Sequence, residues 1–389
     1  MSTELHDESN INEKGLVITD HVDLEILLHL QENPLIRASK IAESMNLSPS
    51  TVTRRLAQIK KREAYRGTYI ELKLSTLELE LVDYFLCFPN KSALVLVEAT
   101  LSDTHPYTLY RGRCYGALNG LFIQFRIPQG TRHYVDALLS DLQQQNLISS
   151  IKHHPRLPYK TVFSNSSLRA YNSKLQTWVF DWKNWIDKFQ SVRSDLPSLK
   201  VDPSLLSQLD PLDIQILGVL TQDYRQKNTA IMDELKADKT QPGIPQMFAR
   251  RINFLRENVV ERARIFLNWT VFDLYQTFAF IGNAPPATCN RLYNHLIENP
   301  LPFESVFFLI EKGFMWYVRA PPSHFSILAD FIWSITPQYD SFMIDYRQSM
   351  VYALWPETFD ESTNQWKKSQ KFLVEDVFQQ ILDKKENSP

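Results

Sequence analysis

The side chains best suited to chemistry in this chain crowd into one stretch, Ser48 to Arg62. Hydroxyls, an amide and cations follow one another there: Ser50, Thr51, Arg54, Arg55, Gln58, Lys60, Lys61 and Arg62, with Arg66 just beyond. None of them is set up as a nucleophile with a base beside it. They are donors of the kind that read base edges in a DNA major groove and pair with phosphates. To do so they must project from a rigid rod, and the sequence supplies one. Ser48 is a good N-cap and Pro49 suits the first helical position. Val52, Leu56 and Ile59 follow helical spacing and define an apolar back. Ser50, Arg54, Ala57 and Lys61 then fall on the opposite face, flanked by Thr51 and Gln58. By this reading Ser50, Thr51, Arg54 and Gln58 are base contacts. Lys60, Lys61, Arg62 and Arg66 are phosphate contacts.

The elements before this helix complete a helix–turn–helix. Asp23 to Leu30 predicts a first helix with Ile26, Leu27 and Leu30 inward, stopped at Asn33-Pro34. A second short helix is expected over 37–45, and Asn46-Leu47 makes the turn. Tyr65 to Lys73 alternates with period two around Gly67, as a β-wing would. Residues 80–160 then read as strand, helix, strand, strand, helix, strand. That βαββαβ order is a ferredoxin-like unit.

The chain repeats this plan. Asp213, Ile216, Leu217 and Leu220 stand where Asp23, Ile26, Leu27 and Leu30 stood. Ile244 to Leu255 overlays the basic helix, with its proline and its Arg-Arg pair, Arg250-Arg251, in register. Gly313 to Pro321 repeats Gly120 to Pro128, with the same Gly, Arg and Pro. The predicted fold class is α+β, a tandem repeat of winged helix–turn–helix plus ferredoxin-like unit. The expected boundaries are a disordered leader at 1–17, winged helices at 18–75 and 206–270, ferredoxin-like domains at 76–165 and 271–358, an aromatic helix and linker at 166–205, and a C-terminal helix and tail at 359–389. Leu175, Trp178, Trp182 and Trp185 have helical spacing, so that aromatic segment reads as a helix docked on a neighbouring domain.

The two basic helices are unequal. Ser50, Arg54, Ala57 and Lys61 correspond to Gln246, Arg250, Asn253 and Glu257, so a groove-facing lysine becomes a glutamate. The cap serine becomes Ile244, and Lys236 to Pro242 lengthens the turn. Arg250, Arg251, Arg256, Arg262 and Arg264 keep a phosphate-binding role open for the second unit, beside its reading as a copy kept for packing. The expected reader of DNA is asymmetric and led by the first unit.

Composition bounds the rest. The 389 residues are 44% hydrophobic and 22% charged, with a net charge of -2, so affinity for nucleic acid must come from local patches. Cys87, Cys114 and Cys289 lie at no metal-like spacing and read as buried thiols of a cytoplasmic protein. No run approaches a membrane span, and no Gly-rich phosphate loop is present. His153 and His154 are adjacent on a strand, point to opposite faces, and do not form a metal site.

The first half resembles the Lrp/AsnC family of prokaryotic feast/famine regulators. The resemblance rests on Val22-Asp23-Leu24-Glu25-Ile26-Leu27 with Leu30, on Ile41-Ala42, and on Asn46 to Leu56. It implies a transcriptional regulator that binds double-stranded DNA and joins a helix–turn–helix to a ferredoxin-like domain for dimerisation. An amino acid-like effector is allowed, though no segment matches the family's effector loop. Two copies in one chain imply an intrachain pseudo-dimer with one sheet on the other, or a homo-oligomer. No cofactor and no enzymatic activity are expected. Two alternatives belong to other classes. One is a protein-interaction scaffold of the transcription machinery. The other is a tetrapyrrole enzyme resembling the sirohaem decarboxylases, which carry a histidine beside the second strand in a His-Asn-Tyr setting followed by arginine. Here that region reads His105-Pro106-Tyr107-Thr108-Leu109-Tyr110-Arg111, with the histidine displaced and the Asn-Tyr context missing.

Overall fold

The computed structural model describes residues 20–199, 202–336 and 338–386; the leader expected at 1–17 lies outside them. The first half opens with α1 (His21–Glu32), α2 (Ala38–Ser44), α3 (Pro49–Lys61) and β1 (Tyr65–Leu72). It continues through β2 (Leu79–Cys87), α4 (Lys91–Thr104), β3 (Thr108–Gly116), β4 (Gly120–Pro128), α5 (Arg132–Gln144) and β5 (Ser150–His153). A crossing segment follows: β6 (Val162–Ser164), a hairpin of β7 (Tyr171–Asn172) and β8 (Thr177–Trp178), then α6 (Trp182–Phe189). The second half repeats the order with α7 (Pro211–Gln222), α8 (Asn228–Glu234), α9 (Ile244–Asn258), β9 (Val260–Leu267), β10 (Gln276–Asn283), α10 (Pro286–Glu298), β11 (Glu304–Ile310), β12 (Gly313–Arg319), α11 (Phe325–Ile335) and β13 (Gln338–Asp345). It closes with β14 (Met350–Val351), the pair β15 (Phe359–Asp360) and β16 (Gln365–Trp366), and α12 (Asp376–Glu386).

Each α/β unit has the ferredoxin-like strand order, β5-β2-β4-β3 in the first and β13-β10-β12-β11 in the second, and β3 pairs with β13 to join them. Strand alternation sends one set of side chains outward under the helices and the other inward. The inner sets meet: Phe85 lies edge-on to Phe342 at 4.9 Å, and Phe122 tilts on Tyr317 at 5.3 Å. The repeated glycine has a steric cause in both halves. A Cβ at Gly120 would sit 1.9 Å from the Leu86 carbonyl, and one at Gly313 would sit 1.9 Å from that of Gly282.

Two expectations are corrected. The period-two stretch after α3 is not a free wing: β1 pairs antiparallel with β9 of the other half, Tyr69 opposite Arg264. A wing needs a second strand of its own, and the duplication supplies one from the far half. The aromatic segment is also not one helix. Residues 171–178 form the β7–β8 hairpin, Leu175 at its tip is exposed, and only Trp182–Phe189 is helical. Its indoles are sequestered by hydrogen bonds to the other half: Trp178 Nε1 donates to the Phe272 carbonyl and Trp182 Nε1 to His324 Nδ1, both at 2.8 Å.

Packing is crossed throughout. The first helix–turn–helix and α6 share a core with the second α/β unit. The second helix–turn–helix and the C-terminal segment share one with the first, where Trp366 Nε1 donates to the Leu77 carbonyl at 2.6 Å. Arg225 then ties the two helix–turn–helix units together, donating to the Pro34 and Ile36 carbonyls at 2.6 and 2.9 Å. The helices that carry the candidate DNA contacts are thus held by the opposite half of the chain.

Candidate nucleic-acid interface

α3 forms as its sequence predicts. Ser48 Oγ accepts the Thr51 N–H at 3.1 Å, Pro49 takes the first position, and Val52 and Ile59 are buried. The far side is open. Ser50, Arg54, Ala57, Gln58 and Lys61 are exposed, and Thr51 is half-buried. Ser50 and Thr51 hydroxyls lie 2.8 Å from Ser48 Oγ. Arg54, Gln58 and Lys61 have no side-chain hydrogen bond or ion pair among the described residues. They stand along one edge of a capped helix, available to a ligand.

The other predicted contacts are drawn to different degrees into the fold. Arg55 turns to α1 and pairs with Asp20 at 2.7 Å and Asp23 at 2.8 Å. Asp23 is buried, so the arginine neutralises a charge the core would otherwise not tolerate. Arg62 reaches the other Asp23 oxygen at 3.6 Å while half-exposed. The Lys60 ammonium lies 5.4 Å from the Tyr65 ring centre but stays exposed. Arg66, expected on a wing, sits in β1, mostly covered, 3.3 Å from Glu63 and 6.0 Å from the Phe266 ring centre.

The second unit repeats the anchor and changes the face. Arg251 pairs with Asp210 at 2.5 Å and Asp213 at 2.9 Å, as Arg55 does with Asp20 and Asp23. In each Arg-Arg pair the second residue braces the helix against its neighbour. Gln246, Arg250, Asn253 and Glu257 are exposed. Gly243, with φ +89°, precedes α9 and contributes no side-chain cap. Arg256 lies over the Tyr224 ring, and Arg262 and Arg264 belong to an interior network, so of the five arginines only Arg250 is exposed.

That network lies where the β1–β9 ribbon meets the sheets. Glu71 pairs with Arg262 and with Arg264 at 2.7 Å; Glu304 pairs with Arg319 at 2.8 Å and Arg264 at 3.7 Å. Burial opposes ionisation of Glu304, but the three arginines outweigh it and hold its carboxyl below the usual range. A cleft of ≈ 190 Å³ opens beside it, lined by Tyr69, Asn165, Arg169, Arg264, Trp269 and Glu304 among others.

Arg126 is the exception on the inner faces. It occupies in β4 the position that Arg319 occupies in β12. It is 7% exposed, and no hydrogen bond or ion pair of its guanidinium exists among the described residues. Burial pulls it down to about 10, with no neighbouring charge acting on it. The Tyr317 hydroxyl, also on an inner face, is sealed without a partner.

His105 does not face a cavity. It caps the end of α4, is fully buried against Phe125, and burial pulls it down to about 3. Arg111 is held by Glu98 at 2.7 Å. His153 stacks on Tyr84 at 4.8 Å and His154 lies edge-on to Phe85 at 6.5 Å, on opposite faces of the strand. Among the described residues no group of three His, Cys, Asp or Glu could hold a metal ion. No helix among them is long and apolar enough to cross a membrane.

A model of winged helix–turn–helix DNA-binding domains matches residues 19–59. No curated protein sequence matches the chain. Among solved structures, the siroheme decarboxylase NirDL is 9% identical with a TM-score of 0.54, covering 94% of this chain and 99% of that one. Its co-complex with an iron-uroporphyrin III analogue gives the same score and identity over 93% of this chain and 99% of that one. AsnC of E. coli is 18% identical with a TM-score of 0.29, over 34% of this chain and 89% of that one. The chain thus has an α+β fold, a helix–turn–helix unit followed by a ferredoxin-like unit, with that order present twice.

Proposed function

We propose that this protein is a transcriptional regulator that binds double-stranded DNA, with α3 entering the major groove. The observation that carries this reading is the face of α3. Arg54, Gln58 and Lys61 are exposed without partners, while the adjacent Arg55 is spent on bracing the helix. Arg54 and Gln58, with Ser50 and Thr51, read base edges; Lys60, Lys61 and Arg62 hold phosphates. Arg55 and Arg251 act as braces and Arg66 as part of the ribbon. The second unit contributes Arg250. The test is a fluorescence-anisotropy titration of genomic fragments at several salt concentrations. Sequence-selective binding that weakens in Arg54→Ala supports the reading; binding indifferent to Arg54 and Lys61 together defeats it.

A second reading, a tetrapyrrole enzyme of siroheme-decarboxylase type, is favoured by the likeness to NirDL over nearly the full length of both chains. The cleft beside Glu304 carries Arg169 and Arg264, both already paired with glutamates, so an anionic substrate there would have to displace Glu32 or Glu304. The sealed His105 offers no proton donor to it. Mixing the protein with iron-uroporphyrin III separates the readings. A shifted Soret band that persists through gel filtration supports the enzyme; an unchanged spectrum removes it.

A further inference from the structure

We propose that the inner face of the first sheet holds a small monocarboxylate on Arg126. The two arginines at the repeated position make the case. Arg319 on β12 meets Glu304, its register partner on β11, at 2.8 Å, and stacks over the Tyr346 ring at 4.3 Å. Arg126 on β4 has Leu81 as its register partner on β2, and its backbone N–H donates to the Tyr107 carbonyl, so neither neighbouring strand offers it a carboxylate there. Asp83 stands two positions along β2 on the same face, but both its oxygens are taken. Gln124 Nε2 donates to Oδ1 at 2.7 Å and Arg156 to Oδ2 at 2.5 and 2.9 Å.

A cation on a side chain only 7% exposed and without a counter-charge is costly for a fold to keep, even where its nitrogens still touch solvent. Its five donors lie in a planar fork that matches a carboxylate with two parallel hydrogen bonds. The charge of the ligand follows from the surroundings. A single cation with no other charge acting on it is neutralised by one negative charge, whereas a phosphate dianion would leave a buried excess. The ligand class is therefore a small organic monocarboxylate. The site lies between the sheets, away from α3, and stands independently of DNA binding.

The test uses the full chain in chloride buffer, titrated with sodium acetate or propionate at constant ionic strength, with sodium phosphate as comparator, and followed by thermal unfolding. In the wild type the carboxylates raise the midpoint saturably by about 2 °C or more, and phosphate does not. Arg126→Met unfolds no earlier than the wild type in chloride and loses the response. Arg126→Lys keeps the charge but not the fork, and its half-saturation moves up about tenfold. An equal response in wild type and Arg126→Met, or none in the wild type, overturns the site. A phosphate response matching that of acetate overturns the ligand class. Should Arg126→Met fail to fold, an Arg126→Lys half-saturation equal to the wild type's overturns the recognition by the fork. Arg54→Ala retains the full acetate response, which separates failure here from failure of the DNA reading.

Discussion

The two halves of this chain share a plan and differ in where they leave charge unspent. In the second half Arg319 is neutralised by Glu304, and the groove face of α9 sets Arg250 against Glu257. In the first half Arg126 is bare inside, and α3 shows Arg54 and Lys61 to solvent without an acid between them. The braces, by contrast, are the same in both: Arg55 on Asp23 and Arg251 on Asp213. What holds the fold is duplicated, and what is free to bind has drifted apart.

The sharpest way to break that comparison is to remove the same arginine from each half. Arg319→Met leaves Glu304 to the more distant Arg264 and Arg262, and the cost of weakening this mostly covered ion pair is about 1–3 kcal/mol. Arg126→Met strands nothing and leaves stability unchanged or raised. Urea unfolding of the two variants measures both. Equal losses would mean that Arg126 has a partner after all and that the halves do not differ.

Acidification probes what the halves share. Each buries a histidine at the end of the first helix of its α/β unit, His105 at the cap of α4 and His295 in the last turn of α10. Burial holds them near 3 and 4, against 6.5 for an ordinary imidazole. Below 6.5 the unfolded chain takes up these protons and the folded chain does not. Stability therefore falls with decreasing pH, by about 1.4 kcal/mol per unit for each histidine, flattening near pH 4 for His295 and near pH 3 for His105. Urea midpoints at pH 6.5, 5.5 and 4.5 give the slope, and His105→Gln and His295→Gln each reduce it by about one proton between pH 5.5 and 4.5. A slope untouched by either variant would place the titration elsewhere.

The sequence carried the plan of each half because that plan is written locally. Cap, proline and apolar spacing specify α3, and turn residues with period-two runs specify the strands. The repeated Asp23 and Asp213 and the repeated Arg-Arg pairs were visible too, yet Arg55 and Arg251 read as DNA contacts. Their direction depends on how α3 and α9 cross α1 and α7, which no local pattern encodes. The β1–β9 pairing was hidden for a similar reason, since a strand's partner nearly 200 positions away leaves no mark on its own alternation. Trp178 and Trp182 kept helical spacing by coincidence across a hairpin and a helix. The sequence set Arg126 only as the repeat of Arg319, and its burial without a partner leaves no mark in the local pattern.

On the DNA side the halves separate further. Arg54→Ala weakens binding by about 1–3 kcal/mol if Arg54 reads a base, and relaxes selectivity at one position. Lys61→Ala weakens all sequences alike and lowers the salt slope by about one unit. Arg250→Ala costs less than Arg54→Ala, because the Glu257 carboxylate already repels phosphate from that face. Anisotropy titrations on one fragment rank the three. An Arg250 effect as large as that of Arg54 would make the reader symmetric.

The smallest expected effect sharpens the comparison most. Glu257→Lys gives α9 the charge that α3 has at Lys61. Both residues are exposed and without side-chain partners among the described residues, so the exchange leaves folding stability untouched. If α9 lies on the duplex beside α3, the change removes one repulsion and adds one phosphate contact. The salt slope then steepens by about 0.9 and affinity at low salt rises by roughly twofold to fivefold. If α9 is held clear of DNA by the Arg225 tie and the crossed packing, neither quantity moves, and the second helix–turn–helix serves the fold alone. The same measurement on Glu257→Lys with Arg225→Ala, which frees the tie, then tells whether the restraint or the surface kept α9 away.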